Sequence, residues 1–263
     1  VYQKASEKKI KVLLNGQGAD EIFGYDYMAA FYFKELFLKL KWIKLVTELY
    51  FFSTKQASVN FTLKLFVFLL APQSVRNKML NASSSIINNK FFNDYNSVSK
   101  FNSEFFKSKG LNESAKKHLE MKLHHLLRVE DKNSMMFGVE ARVPFLEKEL
   151  VEFVLKIPSS FKIQKGSIKH ILKQSAKSIL PKLIYDRNNK IGYETPMAKW
   201  INSDSFQKQI DDMINSADQP MKEYLNLKYI TKIWKNHKSK KGDYSSDIWK
   251  YFYLTKWHNI YFK

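Results

Sequence analysis

Two glycines and two carboxylates lie close together near the start of the chain, where a short apolar run ends. Gly16 and Gly18 let the backbone approach a ligand closely, and Asp20 and Glu21 follow them. A glycine loop at a helix N-terminus can bind phosphate through its N–H groups, but carboxylates there repel phosphate unless Mg²⁺ lies between them. The spacing therefore indicates either a Mg²⁺-nucleotide or Mg²⁺-pyrophosphate site, or a plain strand–turn–helix whose acidic residues favour the helix dipole.

A strand before the glycine loop and a helix after it are needed to position these residues. Residues 11–14 are apolar and β-favouring and are followed by Asn15 and Gly16, which predicts a short buried strand. Asp20 and Glu21 suit the first turn of the next helix, because the N-terminal end of a helix dipole attracts negative charge.

Helical periodicity dominates the rest of the chain. The pattern predicts helices over residues 25–52, 61–70, 114–127, 150–155 and 168–180, with several amphipathic helices after residue 200. Ser114 and Ser167 are the predicted N-caps of two of these helices. Lys169 then falls in a first turn, where a lysine opposes the helix dipole, so its position favours a nearby anion. The Asn- and Ser-rich residues 81–103 predict mostly loop.

Composition limits the classes of function. The chain has 263 residues and no cysteine, which excludes disulfides and thiolate metal sites and fits a reducing compartment. Its net charge of +19 invites a nucleic-acid hypothesis, but only four of its 44 basic residues are arginine and the lysines are scattered. We therefore expect a lysine-rich solvated surface rather than a nucleic-acid interface. The apolar run over residues 65–71 is too short to span a membrane.

Four sequence blocks resemble the asparagine synthase family in order and in relative spacing. The first is LLNGQGADEIFGYDYM at residues 13–28, which is similar to the family's Ser/Asn-Gly-Glu/Gln-Gly-x-Asp-Glu loop. The others are DKNSM with GVEARVPFLE at residues 131–147, KHILK at 169–173 and KIGYETP at 190–196. The resemblance implies an α/β fold of the adenine-nucleotide α-hydrolase, Rossmann-like kind. In this chain we expect that fold to be predominantly helical, with one short strand near residues 10–14.

The resemblance also implies a reaction and its cofactors, ATP and Mg²⁺. The aspartate side-chain carboxylate attacks the α-phosphorus of ATP and gives β-aspartyl-AMP and Mg²⁺-pyrophosphate. Ammonia derived from glutamine then displaces AMP and yields asparagine. Such a ligase of asparagine biosynthesis is expected to be cytoplasmic, without a membrane partner.

Motif matching carries family roles onto residues of this chain. The resemblance implies that Asn15 and Gly16 contact the nucleotide, largely through backbone atoms, and that Asp20 binds Mg²⁺-pyrophosphate. It also implies that Lys169 contacts phosphate oxygens and stabilises the charge that develops in the reaction.

Gln17 departs from the family pattern. It stands where the family often has a glutamate that acts around the acyl-adenylate, and glutamine cannot be a general base. Either a neighbour such as Glu21 does that work, or the step needs no base, or the substrate differs. Relatives with this core also make other amides in glycan, peptide or β-lactam pathways, so the acceptor carboxylate is less certain than the adenylation.

The later blocks supply four residues that we expect to shape the site. They are Asp131, Glu140, Arg142 and Gly192, and Glu21 of the first block is a fifth residue expected to shape the site. Glu140 and Arg142 are charged residues within an otherwise apolar stretch, residues 137–146, and charges near a core are seldom left unpaired. Either the two pair structurally or one of them faces the site.

The resemblance further implies family parts that this chain lacks. Glutamine-using members carry an N-terminal glutaminase domain with a catalytic cysteine, and a Ser-Gly-Gly-x-Asp-Ser pyrophosphate loop. This chain contains no cysteine and no two adjacent glycines. We therefore expect residues 1–263 to be a partial, N-terminally truncated synthetase domain, belonging to a larger enzyme or a decayed gene. The strands that pair with residues 10–14 are expected to be missing.

Two other classes of protein stay open at this stage. A basic helical module that binds RNA or DNA predicts binding that weakens steeply with salt. A non-catalytic remnant that acts through a partner's surface predicts no ATP binding and insensitivity to Asp20→Ala.

Overall fold

The computed structural model describes residues 1–56, 59–72, 74–76, 86–95, 100–187, 195–216 and 219–262. The chain divides into two compact units: unit 1 comprises residues 1–72 and 100–190, and unit 2 comprises residues 73–99 and 191–263. The described part is predominantly helical with a few short strands, which is consistent with an α/β-type fold. Within it, no helix is long and apolar enough to cross a lipid bilayer.

Short helices make up most of both units. In chain order they are α1 (Tyr2–Glu7), α2 (Ala19–Phe23), α3 (Ala29–Leu38), α4 (Trp42–Lys55), α5 (Val59–Leu70), α6 (Asn89–Tyr95), α7 (Lys100–Lys107), α8 (Leu111–His118), α9 (His124–Met135), α10 (Lys148–Lys156), α11 (Ser159–Lys162), α12 (His170–Ser175), α13 (Lys182–Tyr185), α14 (Met197–Ile201), α15 (Asp204–Asn215), α16 (Gln219–Tyr224), α17 (Leu227–Lys238) and α18 (Ser245–Tyr261). A π-helical turn, Leu119–Leu123, joins α8 to α9, and short 3-10 helices span Asp26–Met28 and Pro144–Leu146.

The first pair of strands is parallel. β1 (Val12–Leu14) pairs with β2 (Glu140–Arg142) in the register Val12↔Glu140 and Leu14↔Arg142. The strand predicted near residues 10–14 is confirmed, but the expectation that all its partners are missing is wrong. Apolar and polar residues do alternate over residues 139–143, Val-Glu-Ala-Arg-Val, but this strand signal is short and ends at Pro144, and it did not lead to a predicted strand.

The second pair of strands is an antiparallel hairpin, which the sequence did not predict. β3 (Ile163–Gln164) pairs with β4 (Ser167–Ile168), and the turn residues Lys165 and Gly166 have φ of 46° and 70°. Positive φ at both turn residues matches the right-handed twist of a tight hairpin. The helix predicted over residues 168–180 begins only at His170, and Ser167 is therefore a strand residue and not an N-cap.

The predicted helix over residues 25–52 is interrupted. α3 ends at Leu38 and α4 begins at Trp42, with Leu40 at φ +56° between them. The turn rotates α4 so that Ile43 is 88% exposed, whereas Leu45 and Phe52 are buried. The apolar stripe that suggested one continuous helix is therefore partly a solvent-facing surface.

Two other predicted boundaries are wrong. α8 begins at Leu111 with Gly110 as its N-cap, so Ser114 lies inside the helix, where its Oγ donates to the Leu111 carbonyl. The predicted loop over residues 81–103 contains α6 and the start of α7, while residues 81–85 and 96–99 lie outside the described residues. Local Asn and Ser content favours turns, but packed aromatic residues such as Phe91 override that preference.

Each unit has its own apolar core. In unit 1 the largest buried cluster surrounds α3 and includes Phe31, Tyr32, Phe33, Phe52 and Leu111. In unit 2 the buried clusters comprise Ile201, Ile210, Met213, Met221, Leu225, Ile230, Ile233, Trp234, Ile248 and Tyr251. Trp234 and Trp249 pack in the unit 2 core, whereas Trp257 is 43% exposed.

Candidate active site

The loop between β1 and α2 is held from two sides by Asn15. Its side-chain Oδ1 accepts from the Gln17 N–H at 3.0 Å, and its Nδ2 donates to Oε1 of Glu130 on α9 at 2.8 Å. The Asn15 backbone N–H donates to the Arg142 carbonyl at 2.9 Å, which extends the β1–β2 ladder. An asparagine that bonds to the backbone two residues on favours a tight turn. These bonds fix the loop against both α9 and β2.

The two glycines of this loop have different tasks. Gly18 is the left-handed N-cap of α2 at φ 96°, and a Cβ there would lie 2.3 Å from Leu146 Cδ2. Gly16 is exposed, and nothing lies within 4 Å of the position of its Cβ. The fold itself therefore requires glycine at residue 18, whereas the open backbone around Gly16 is accessible to a ligand.

Asp20 and Lys169 meet at the N-terminal end of α2. The Lys169 Nζ lies 2.5 Å from Asp20 Oδ1, and the two side chains are 30% and 27% exposed. Asp20 lies in the first turn of α2, as predicted. The structure thus brings together two charged residues that are far apart in the sequence, and both remain partly accessible to solvent.

Lys169 reaches this point from the hairpin and not from a helix. It directly follows β4 and has φ 55°, so it is the N-cap of α12. The prediction that Lys169 lies in a helical first turn is therefore wrong, because residues 167–168 pair as a strand. α12 begins one residue later, and its Ile171 and Leu172 pack against the buried cluster formed by Ile22, Phe23 and Val154.

Glu21 points into the protein. It is 1% exposed, and its Oε1 accepts a 2.5 Å hydrogen bond from the Tyr25 hydroxyl. Burial, together with this hydrogen bond, raises the pKa of Tyr25 well above its usual value, so Tyr25 stays a donor. The neighbouring Tyr27 hydroxyl lies 2.9 Å from His118 Nε2, and burial lowers the pKa of His118 to about 4. Glu21 therefore belongs to a buried polar group beneath α2.

Glu140 and Arg142 pair with each other. The Arg142 Nε donates to Glu140 Oε1 at 2.8 Å, and the Arg142 and Glu140 side chains are 60% and 56% exposed. The hydrogen bond from Arg142 lowers the pKa of Glu140. Of the two alternatives raised by the sequence, the structure shows the pairing. Asp131 is exposed on α9, and Gly192 lies outside the described residues.

Sequence reasoning missed two residues of this region. Glu130 holds Asn15, and its only signal was its place directly before the DKNSM block. Lys162 is fully buried, and its Nζ donates to the Ile22 carbonyl at 2.9 Å. No local pattern distinguishes Lys162 from the many exposed lysines, because its burial depends on elements distant in the sequence.

A metal could be held here by a single carboxylate. Among the described residues, no group of three or more His, Cys, Asp or Glu side chains is arranged to hold a metal ion. Asp20 offers one partly exposed carboxylate beside a cation. That donor set fits Mg²⁺, which is usually bound through one or two carboxylates plus substrate phosphates.

Comparison with known proteins identifies the family. Residues 1–259 match the family described as asparagine synthase, and the chain belongs to that family. It is 28% identical over 135 residues to asparagine synthetase [glutamine-hydrolyzing] 1 of Bacillus subtilis, covering 51% of this chain and 21% of that protein. It is 28% identical over 153 residues to asparagine synthetase [glutamine-hydrolyzing] of Rattus norvegicus, covering 53% of this chain and 26% of that protein.

A third relative, matched over a shorter stretch, carries a different name. The chain is 29% identical over 102 residues to the protein named Amidase chry2 of Gibberella zeae, covering 36% of this chain and 15% of that protein. In these three relatives the matched part is about a quarter of the protein or less. No solved structure matches the chain.

Proposed function

We propose that this chain forms part of an ATP-dependent ligase that converts aspartate to asparagine through β-aspartyl-AMP. Family membership supports a synthetase-type function, and one structural observation supports the choice of site. That observation is the 2.5 Å contact between Asp20 and Lys169, in the first turn of the helix that follows the loop after the parallel strand β1. A carboxylate that can hold Mg²⁺ and a cation that can bind phosphate oxygens suit a Mg²⁺-pyrophosphate leaving group.

Each residue of this region has a distinct role in the proposal. Asn15 and Gly16 contact the nucleotide through the exposed backbone of the loop, while Asn15 keeps its side-chain bond to Glu130. The Asp20 carboxylate is a ligand of Mg²⁺, and the metal, when bound, offsets negative charge on the pyrophosphate. The Lys169 ammonium binds phosphate oxygens and stabilises the charge that grows on them as the bond to the α-phosphorus breaks.

The proposed reaction has two displacements. An aspartate carboxylate oxygen bonds to the α-phosphorus of ATP and pyrophosphate leaves. Ammonia then attacks the acyl carbon, the bond to AMP breaks, and the nitrogen loses a proton. Gln17 cannot accept that proton. Glu21 is buried against Tyr25, which favours release of the proton to solvent or to the departing AMP.

The source of ammonia lies outside this chain in the proposal. The chain has no cysteine, so a cysteine nucleophile for glutamine hydrolysis must come from another domain. We therefore place residues 1–263 in the synthetase part of a larger cytoplasmic enzyme, with a glutaminase domain as its partner. Asp131, Glu140, Arg142 and Gly192 remain candidates for shaping the surrounding site.

The test is aspartate-dependent exchange of labelled pyrophosphate into ATP by the protein that contains this chain, which measures adenylation without ammonia. We expect Asp20→Asn and Lys169→Met each to lower the exchange rate by about 10²–10³-fold, as loss of one charge-stabilising group typically does. Asp212→Asn and Lys177→Met, at exposed positions, serve as matched controls and should keep the parental rate. Full exchange in both Asp20 and Lys169 variants would contradict this site, and no exchange by the parental protein would favour a non-catalytic remnant.

A second acceptor is favoured by Gln17 and by the match to a protein named Amidase chry2. In this version the adenylation chemistry is the same, but the carboxylate belongs to a glycan or peptide. Exchange stimulated by other carboxylates and not by aspartate would support this version, whereas stimulation by aspartate alone would exclude it.

A further inference from the structure

Lys162 is a lysine with no access to solvent. It ends α11, its relative exposure is 0%, and its Nζ donates to the Ile22 carbonyl at 2.9 Å. Ile22 lies in the last turn of α2, where carbonyl groups lack helical partners and where the helix dipole favours a cation. Burying an ammonium is costly unless it is hydrogen-bonded, so its place at this carbonyl suggests a specific task.

Lys162 and Lys169 stand at the open end of the same hairpin. The register pairs Ile163 with Ile168, so the next pair outward is Lys162 opposite Lys169. One ammonium reaches the C-terminal end of α2 at Ile22, and the other reaches its N-terminal end at Asp20. The hairpin therefore contacts both ends of a helix of only 5 residues.

The closed end of the hairpin is fixed to α4. Gln56 Nε2 donates to the Gly166 carbonyl at 2.8 Å, and Lys55 Nζ donates to the Lys165 carbonyl at 2.9 Å. The Gly166 N–H donates to Oε2 of the buried Glu48 at 3.3 Å. These bonds to α4 restrict movement of the hairpin and so fix the positions of the two lysines at its other end.

The geometry points to Lys162 as a positioning residue: it ties the C-terminal end of α2 to the hairpin that delivers Lys169, and so keeps Asp20 facing Lys169. A helix this short is not stable by itself, because nucleation is unfavourable and few internal hydrogen bonds form. The apolar contacts of Ile22 and Phe23 hold α2 to α10 and α12. The Lys162 bond adds a directional constraint along the helix axis. When ligand phosphate competes for Lys169, Lys162 still holds α2 in place.

The test is hydrogen–deuterium exchange of the α2 amides, residues 18–24, in Lys162→Met, with Lys165→Met as matched control. Lys165 lies in the same hairpin but has an exposed side chain. We expect exchange in residues 18–24 to be about tenfold faster in Lys162→Met and unchanged in Lys165→Met, with residues 204–215 of unit 2 unaffected in both. Lys162→Arg, which keeps a cationic donor, should restore part of the protection.

This inference rests on the proposed function only for its second readout. In the pyrophosphate exchange assay, Lys162→Met should lower kcat by about 10²-fold, as misplacement by about 1 Å can, with a much smaller change in KM for ATP. If Lys162→Met does not fold, as judged by far-UV circular dichroism, Lys162→Gln provides a neutral donor and should show intermediate protection.

Unchanged protection of residues 18–24 in Lys162→Met or Lys162→Gln would overturn the positioning role, and so would equal loss of protection across both units. The hydrogen-exchange result does not depend on activity. A protein that fails the pyrophosphate assay but shows the expected protection pattern would contradict the proposed function and leave the positioning role of Lys162 intact.

Discussion

The two strand pairs of unit 1 each lead into the candidate site, one at Asn15 and the other at Lys169, and they differ in how they present charge. The parallel pair β1–β2 joins segments distant in the sequence and leaves Glu140 and Arg142 in water, more than half exposed. The antiparallel pair β3–β4 closes through a two-residue turn and carries Lys162, which is fully buried, and Lys169, which is 30% exposed.

The difference indicates which charged residues the stability of the fold depends on. An exposed ion pair gains little because water already solvates both partners. A buried lysine must be hydrogen-bonded and constrains the group to which it bonds, since loss of that bond leaves a buried polar group unsatisfied. We therefore expect the hairpin to be sensitive to substitution and the exposed end of the parallel pair to be tolerant.

The largest effect should come from Gly166→Ala, compared with Gly138→Ala before β2. Both glycines have positive φ, at 70° and 63°, but a Cβ at residue 166 would lie 2.4 Å from the Phe51 carbonyl oxygen, whereas residue 138 has nothing within 4 Å. We expect Gly138→Ala to cost about 1 kcal/mol from backbone strain alone, and Gly166→Ala about 3 kcal/mol or more in the free energy of unfolding. Urea unfolding measures both, and equal losses would show that the hairpin has no special dependence on its turn.

An intermediate effect should appear in the pH dependence of stability. Burial lowers the pKa of Lys162 to about 7, despite the opposing charge of Glu35, whereas an unfolded lysine titrates near 10.4. Between these two pKa values the Lys162 side chain is protonated in the unfolded chain and largely neutral in the folded one. The contribution of Lys162 to the free energy of unfolding should therefore rise from about pH 7 to pH 10.

The measurement is urea unfolding at pH 7, 8 and 9 for the parental protein, Lys162→Met and Lys165→Met. Between pH 7 and pH 9 the free energy of unfolding should rise by on the order of 1–2 kcal/mol in the parental protein and in Lys165→Met. This rise should be absent in Lys162→Met. The same slope in all three proteins would show that another group causes it.

The smallest effect should come from the exposed pair on β2. Arg142→Gln removes the Arg142–Glu140 ion pair, and we expect no measurable shift in the urea midpoint because both groups are solvated. A clear loss of stability would remove the contrast between the two strand pairs.

The sequence predicted the elements with local signals and missed those defined by distant contacts. β1 and the acidic first turn of α2 follow from an apolar run that ends in Asn-Gly, and both were found. β2 has only a short local signal, the alternation of apolar and polar residues over 139–143, and its partner β1 is distant in the sequence. The hairpin did have a local signal, Lys165-Gly166 between two short β-favouring segments, but the helical pattern that follows it obscured this signal.

The residues of the candidate site were predicted or missed for the same reason. Motif resemblance selected Asp20 and Lys169, and the structure brings them into contact, although their functional roles remain a proposal. Glu130 and Lys162 were missed because their importance lies in partners far along the chain. Buried lysines are rare, and composition alone favours assigning any lysine of this basic chain to the surface.

The hairpin register also restricts how the length of this segment can vary. Successive residues of a strand point to opposite faces, so one inserted or deleted residue between Lys162 and Lys169 would turn one of the two ammonium groups away from α2. Exposed positions such as Gln164 and Lys165 can accept other side chains, but the number of residues between the lysines cannot change by one. A one-residue length change in this segment of a relative would therefore signal the loss of one end of the α2 attachment.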